Sequence, residues 1–236
     1  MIATNVYEET NMENIILDKI DKSEALRYLG YRNTKIDDNL LSLIDESEEE
    51  VRKLATPRYI YKVFDFKETS EGVTFLNTNL NLKGNSIKKH LEGCERLVAL
   101  AVTIGEGIDR NIRILSHTNL AKSVVFDAFS SAAIEQVCNK VEDIIREEFK
   151  EYKMTFRFGI GYGDLPLSHQ KDFIKVLDAS KKIGITVGDS YMMIPTKSVT
   201  AIIGLSNREI KKANRNCADC NLMGNCNILK SGNHCY

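Results

Sequence analysis

The sequence predicts an α+β fold: a mixed or antiparallel twisted sheet wrapped by helices, with a small cysteine-rich C-terminal tail. Three observations carry that reading. Helical and β-rich stretches alternate irregularly, without internal repeats or regular βαβ units, which argues against a doubly wound parallel sheet. Residues 94–104 (CERLVALAVTI) and 198–205 (SVTAIIGL) are nearly continuous apolar runs of strand length, suited to the middle of a sheet. Between them, residues 120–149 carry one long apolar stripe at helical spacing. A chain of 236 residues can bury one good core with small appendages. The composition changes after Ser206, which divides the chain into units 1–207 and 208–236.

Each element has its own signal. Residues 1–20 are polar with scattered aliphatics and read as an arm with one short strand. Ser23 opens a short helix through Tyr28 and Leu29, which Gly30 stops. Asp37 or Asp38 caps a second helix, whose Leu40, Leu43, Ile44, Val51 and Leu54 recur at helical spacing before Pro57. The acidic run 45–50 within it reads as a solvated helix face. Residues 58–66 (RYIYKVFDF) and 72–76 are β-rich and separated by a polar turn, which predicts a hairpin. A short helix follows over 86–91, then the apolar strand, which Gly105 and Gly107 break before a helix marked by Ile108, Ile112 and Leu115. Thr118 is a candidate N-cap for the longest helix. Its stripe comprises Val124, Val125, Ala128, Phe129, Ala132, Val137, Val141, Ile144 and Ile145, with Asp127, Ser130, Ser131 and Glu135 among the polar neighbours. A lone buried acid is costly, so Glu135 reads as a rim carboxylate. Residues 167–182 read as one further helix, and 185–187 with 198–205 as strands.

Charge and hydropathy exclude several function classes. A net charge of −1 and a pI of about 6.5 give no electrostatic footprint for nucleic acid or an anionic membrane. No apolar run reaches the ~18 residues of a membrane helix, and no basic-then-apolar leader opens the sequence, so the expected address is the cytoplasm. Cysteines clustered in a reducing compartment point to metal or cluster chemistry rather than disulfides. The tail has such a cluster: Cys217-x2-Cys220-x5-Cys226-x8-Cys235, with His234 beside the last. Four thiols this close suit tetrahedral zinc or an iron–sulfur cluster. The stretched second half is unlike a pair of zinc knuckles and leans toward a [4Fe–4S] cluster, with zinc open. Cys94 and Cys138 lie in apolar contexts and read as buried bystanders.

The stretch 155–206 holds the candidate binding residues. A short apolar run containing Arg157 opens into Gly159, Gly161 and Gly163, with Tyr162 between the last two. Three glycines in five residues mark a shaped loop where a ligand can approach the backbone. The G-x-G-x-G spacing is neither the dinucleotide fingerprint G-x-G-x-x-G nor a Walker loop, so the loop alone is compatible with an ordinary turn. Its context is more specific. R-x-x-x-G-Y-x-x-x-P at 157–166, followed by Asp189-Ser190-Tyr191-x-Met193-x-Pro195-x-x-Ser198-Val199, resembles the reactivation domain of cobalamin-dependent methionine synthase. The matched spacings cover about a fifth of the chain, with weaker likeness upstream in the RYLGY and ATPRYIYKVF segments.

The resemblance implies a domain that binds S-adenosylmethionine and docks on a cobalamin-carrying domain. There it supports the reductive methylation of cob(II)alamin to methylcobalamin, with one electron from a flavodoxin or ferredoxin-type donor. Carried over by position, Arg157 grips the ligand's α-carboxylate, and Gly159 and Gly161 bring backbone against it. Tyr162 lies near the cobalt face, which makes it the candidate catalytic residue. Glu135, Asp189 and Ser190 face the cleft, while Met192, Met193 and Pro195 are cleft floor or core. One departure stands out: where the multidomain enzyme carries a second tyrosine, this chain reads Ala201-Ile202-Ile203. The corrinoid-carrying motif D-x-H-x-x-G occurs nowhere in the 236 residues, so the reading is a stand-alone subunit acting in trans on a cobalamin-binding methionine synthase chain. Two alternatives stay open: a non-catalytic docking or S-adenosylmethionine-sensing module with a structural zinc tail, and a reactivator of a different corrinoid methyltransferase.

Overall fold

The apolar run in the middle of the chain becomes β5 (Arg96–Thr103), buried at seven of its eight residues. The reason is its position between two long antiparallel partners, β2 (Arg58–Glu68) and β10 (Ser198–Ser206). Leu100 faces Tyr61 on one side and Ala201 on the other; Ala99 faces Lys62 and Ile202. A computed structural model describes residues 8–9 (backbone), 15–31 and 37–210. Around the three central strands, β3 (Gly72–Phe75) and β4 (Asn81–Lys83) extend the sheet beyond β2. The short β6 (Lys153–Met154) and β7 (Phe158–Gly159) pair with β10 at the other edge. The two-residue β1 (Glu8–Glu9) adds to β2. Every described pairing is antiparallel, which settles the sheet type that the sequence left as mixed or antiparallel.

Both faces of the sheet are covered, and this is why its strands read as apolar runs rather than alternating ones. Tyr59, Tyr61, Val98, Leu100, Val102, Ala201 and Ile203 point into one core. That core is closed by α1 (Lys22–Tyr28), α2 (Asp38–Leu54), α4 (Glu106–Thr118) and α5 (Leu120–Glu148). Ile60, Leu97, Ala99, Ala101 and Ile202 point into the other. It is closed by α3 (Asn85–His90), α6 (Gln170–Leu177), α7 (Ala179–Ile183) and the glycine-loop residues Phe158, Ile160 and Leu165. The long helix α5 packs against the other three helices of its layer and against β5 and β10. Its buried set is therefore wider than one stripe and includes Phe126, Ala133 and Ile134, while Val124 lies exposed.

Several local expectations are corrected. Asp21, not Ser23, caps α1: its carboxylate accepts the Ser23 and Glu24 amides. Asn119, not Thr118, caps α5; the Thr118 hydroxyl instead donates back to Ile114 O within α4. The single helix expected over 167–182 is a 3-10 turn (Leu167–His169) followed by α6 and α7, broken where Asp178 adopts a left-handed φ of 57°. The hairpin β8 (Thr186–Val187) to β9 (Met193–Ile194) stands apart as a second, two-stranded sheet.

Candidate functional site

Glu135, Asn139 and Glu142 stand at i, i+4 and i+7 on α5 and so share one helix face. Arg157, in the extended segment between β6 and β7, lays its side chain against that face and is only 7% exposed. Its Nη2 donates to Asn139 Oδ1 at 2.7 Å and, more weakly, to Glu135 Oε2 at 3.4 Å. Its Nε lies 3.0 Å from Glu142 Oε2, an ion pair whose N–H is not aligned as a hydrogen bond. Burying a guanidinium is costly unless carboxylates and acceptors surround it, and about two turns of α5 supply them. A second cation joins from the same helix: Arg146 Nη2 donates to Glu142 Oε1 at 3.0 Å, so two carboxylates meet two guanidinium groups. Glu135 is the open carboxylate at 40% exposed, against 19% for Glu142. Nη1 has no oxygen partner among the described residues. Burial pushes the neighbouring Cys138 thiol up to about 12, against the pull of Arg157, so it is no nucleophile.

The glycine loop starts where β7 leaves the sheet. Gly159 lies opposite Ala201 and Phe158 opposite Ile202 on β10. Tyr162 N donates to Gly159 O at 3.1 Å and Leu165 N to Tyr162 O at 3.0 Å, which gives two successive tight turns. Gly161 (φ 96°) and Gly163 (φ 56°) supply the left-handed conformations. A Cβ on Gly159 would sit 3.3 Å from the Tyr162 ring, so the absence of a side chain there lets the ring fold back over the strand. Tyr162 packs edge-on to Phe158, ring centres 6.0 Å apart, and remains 59% exposed.

Asp164 pins the loop from beyond. Its carboxylate accepts the Asn85 and Ser86 amides at 2.8 Å each, and its own amide donates to Ser86 Oγ at 3.3 Å. Burial works to raise the Asp164 carboxyl, but the Ser86 and Asn85 hydrogen bonds prevail and hold it below the usual range. Behind the loop, His90 is buried, with Nε2 2.8 Å from Thr155 Oγ1 and its ring against Phe156 and Phe158. Desolvation lowers it to about 4.

The structure gathers some of the sequence-derived candidates and separates others. Arg157 and Glu135 meet, and Gly159, Gly161 and Tyr162 form one loop beside them. Asp189 and Ser190 lie exposed at the tip of the β8–β9 hairpin, where Asp189 pairs with Lys171 of α6 at 3.2 Å. Met192 on that hairpin is exposed, Met193 packs partly on the second core, and Pro195 is buried. Asn139, Glu142 and Lys197 were not singled out in the sequence; Lys197 Nζ meets Asp127 Oδ1 (2.8 Å) and Ser131 Oγ (2.9 Å), two of the polar neighbours of the α5 stripe. The i, i+4 spacing of Asp127, Ser131, Glu135 and Asn139 was the available signal. Cys217, Cys220, Cys226 and Cys235 lie outside the described residues; among the described ones, no three His, Cys, Asp or Glu side chains are grouped to hold a metal. No helix among the described residues is long and apolar enough to cross a membrane.

Comparison with known proteins adds to this geometry. The sequence profile of the family described as vitamin B12 dependent methionine synthase, activation domain, matches residues 85–211, more than half of the chain. That segment contains α3, β5, α4, α5, the Arg157 cluster, the glycine loop and β10. Among solved structures, the crystal structure of the MetH reactivation domain bound to AdoHcy has a similar fold, with a TM-score of 0.65 and 14% identity over 89% of this chain and 81% of that one. No curated protein sequence matches the chain.

Proposed function

From the premise that this chain belongs to the vitamin B12-dependent methionine synthase activation domain family, we propose that it binds S-adenosylmethionine between α5 and the glycine loop and acts in trans on a cobalamin-binding methionine synthase chain. The observation that carries this is the Arg157 cluster: a buried guanidinium held on α5 beside a glycine loop that can admit a ligand to the backbone. A guanidinium grips a carboxylate in a two-pronged geometry that lysine cannot match. Glu135, the open carboxylate beside Arg157, suits a ligand that also carries an ammonium and a sulfonium. The solved MetH reactivation domain is described as bound to AdoHcy, the demethylated form of the same ligand.

The corrin, on the partner, supplies the methyl-accepting cobalt and the redox chemistry. In sum, cob(II)alamin takes one electron from a flavodoxin or ferredoxin-type donor and the methyl group of S-adenosylmethionine, leaving S-adenosylhomocysteine and methylcobalamin. This chain's task is proximity: Arg157, Gly159 and Gly161 orient the ligand, and Tyr162, exposed at the loop tip, shields the reacting face from water. No general acid or base is required of it. Glu135 is placed for the ligand's ammonium, whereas Asp189 pairs with Lys171 at the hairpin tip.

The test uses a methionine synthase lacking its activation domain, loaded with cob(II)alamin, and a chemical reductant in a cytoplasm-like buffer. Adding this chain and S-adenosylmethionine should give the methylcobalamin spectrum and restore turnover; omission of either should not. No methylcobalamin in the complete mixture would contradict action on that enzyme. A second reading, a different corrinoid methyltransferase as the partner, is favoured by one observation: Ala201 and Ile202 are buried in the sheet, so no tyrosine from that strand reaches the cobalt side. The same assay with other corrinoid proteins separates the two.

The unit 208–236 is proposed as a metal-binding tail, supported by its donor set of four thiols, Cys217, Cys220, Cys226 and Cys235, which suits zinc or an iron–sulfur cluster. Replacing Cys217 and Cys220 with serine should release the metal while 1–207 stays folded. A brown preparation bleached by dithionite identifies a cluster, and a colourless one containing zinc identifies a docking role; unchanged metal content in the variant rules the site out.

A further inference from the structure

We infer that Glu142, assisted by Asn139, is a positioning residue that aims the Arg157 guanidinium at the carboxylate of the incoming ligand. The inference rests on the S-adenosylmethionine reading above and deepens it. A guanidinium has two binding edges: a side edge made by Nε and one Nη, and an end edge made by the two Nη groups. In this chain the side edge is turned to α5, with an ion pair at Nε whose N–H is not aligned as a hydrogen bond and a hydrogen bond at Nη2. Glu142 Oε2 sits 3.0 Å from Nε, and Asn139 Oδ1 takes Nη2 at 2.7 Å. Nη1 has no oxygen partner among the described residues, so the end edge is the one left to receive a planar carboxylate in two-pronged fashion.

The three acceptors are unequal, and the inequality assigns their roles. Glu142 is the more buried carboxylate, 19% exposed, and stands at the close distance; Glu135 is 40% exposed and reaches Nη2 only at 3.4 Å. Glu142 and Asn139 therefore hold the arginine in place, while Glu135 is the contact that yields when a ligand carboxylate arrives. Glu142 is itself held by Arg146 at 3.0 Å and sets the closest countercharge beside the buried guanidinium, so the arginine is fixed before the ligand enters and its side-chain freedom is already lost. The anchor and the binding edge are thus separate groups of atoms on the same side chain.

The experiment compares two probes by calorimetric titration of the full chain: S-adenosylmethionine, and decarboxylated S-adenosylmethionine, which keeps the sulfonium and the amine but lacks the carboxylate. Wild type should prefer the first probe. Glu142→Gln should lower affinity for S-adenosylmethionine about 10-fold, the low end of what outer-shell partners contribute at ligand-binding sites of metals, and leave affinity for the decarboxylated probe unchanged. Asn139→Ala, at an exposed position, should act in the same direction and keeps the test available if Glu142→Gln fails to fold. Variants that retain the full wild-type preference, or that weaken both probes equally, overturn the positioning role and leave the binding site standing. A wild type that binds both probes equally, or neither, overturns the carboxylate-gripping reading itself.

Discussion

Arg157 is buried without being spent. Its neighbours on α5 hydrogen-bond Nη2 and set a carboxylate beside Nε, which neutralises its charge, the condition for keeping a cation in a protein interior. The arginine was legible in the sequence from its spacing to Gly161 and Tyr162, and Glu135 from the resemblance; its closer partners Asn139 and Glu142 were not. A carboxylate on a helix carries no mark of which distant cation it will meet, and Glu142 is separated from Arg157 by the turn between α5 and β6. Asp189 shows the opposite failure: its motif position was legible, but its side chain meets solvent and Lys171. His90 was not a candidate at all, and it sets a test of stability rather than function. Burial holds it neutral, with its proton leaving near pH 4 instead of 6.5. The unfolded chain then binds the extra proton first, so stability is intact above about pH 6.5 and falls as the pH drops toward 4, by up to ~3 kcal/mol. Urea denaturation of wild type and His90→Phe between pH 7 and pH 4 checks this: the variant should lack that component of the decline, and identical slopes would contradict it.

At the scale of elements, the site is a helix face, an edge strand and a loop held in register. The loop's hold on α3 is the most exposed link. Asp164 caps that helix at two amides, and the Gly163 backbone runs so close to Ser86 that a Cβ would collide with its hydroxyl. Asp164→Ala should cost about 1 kcal/mol, the usual worth of an N-cap, and weaken S-adenosylmethionine binding as the loop loosens. Thermal melts with and without ligand check both effects; a variant with lower stability and unchanged affinity would place the loop outside the site. The strands β5 and β10 and the long α5 were legible because burial on one or two faces writes long periodic signals. The break between α6 and α7 was not, because a single left-handed Asp178 leaves no trace in hydrophobic periodicity. Nor were β4, β6 and β9, which are two or three residues long and owe their existence to neighbours already in place.

Across the whole molecule, two cores clamp one antiparallel sheet, and the site sits at the sheet edge where β7 and the glycine loop leave β10. The scaffold gives the Arg157 cluster rigid backing on α5, and it leaves Tyr162, with Tyr191, Met192 and Ile194 of the β8–β9 hairpin, exposed to a partner. Ligand binding to such a scaffold must also raise its stability, by about 2.7 kcal/mol at a hundredfold excess over Kd. The central claim, that this chain is an S-adenosylmethionine-binding activation domain whose grip depends on Arg157, is tested most directly by calorimetric titration of the purified protein. S-adenosylmethionine should bind saturably and ATP should not, and Arg157→Ala should lose about 1.5–3 kcal/mol of that affinity, the worth of a charged hydrogen bond. No heat with S-adenosylmethionine, or equal binding by the variant, would contradict the account.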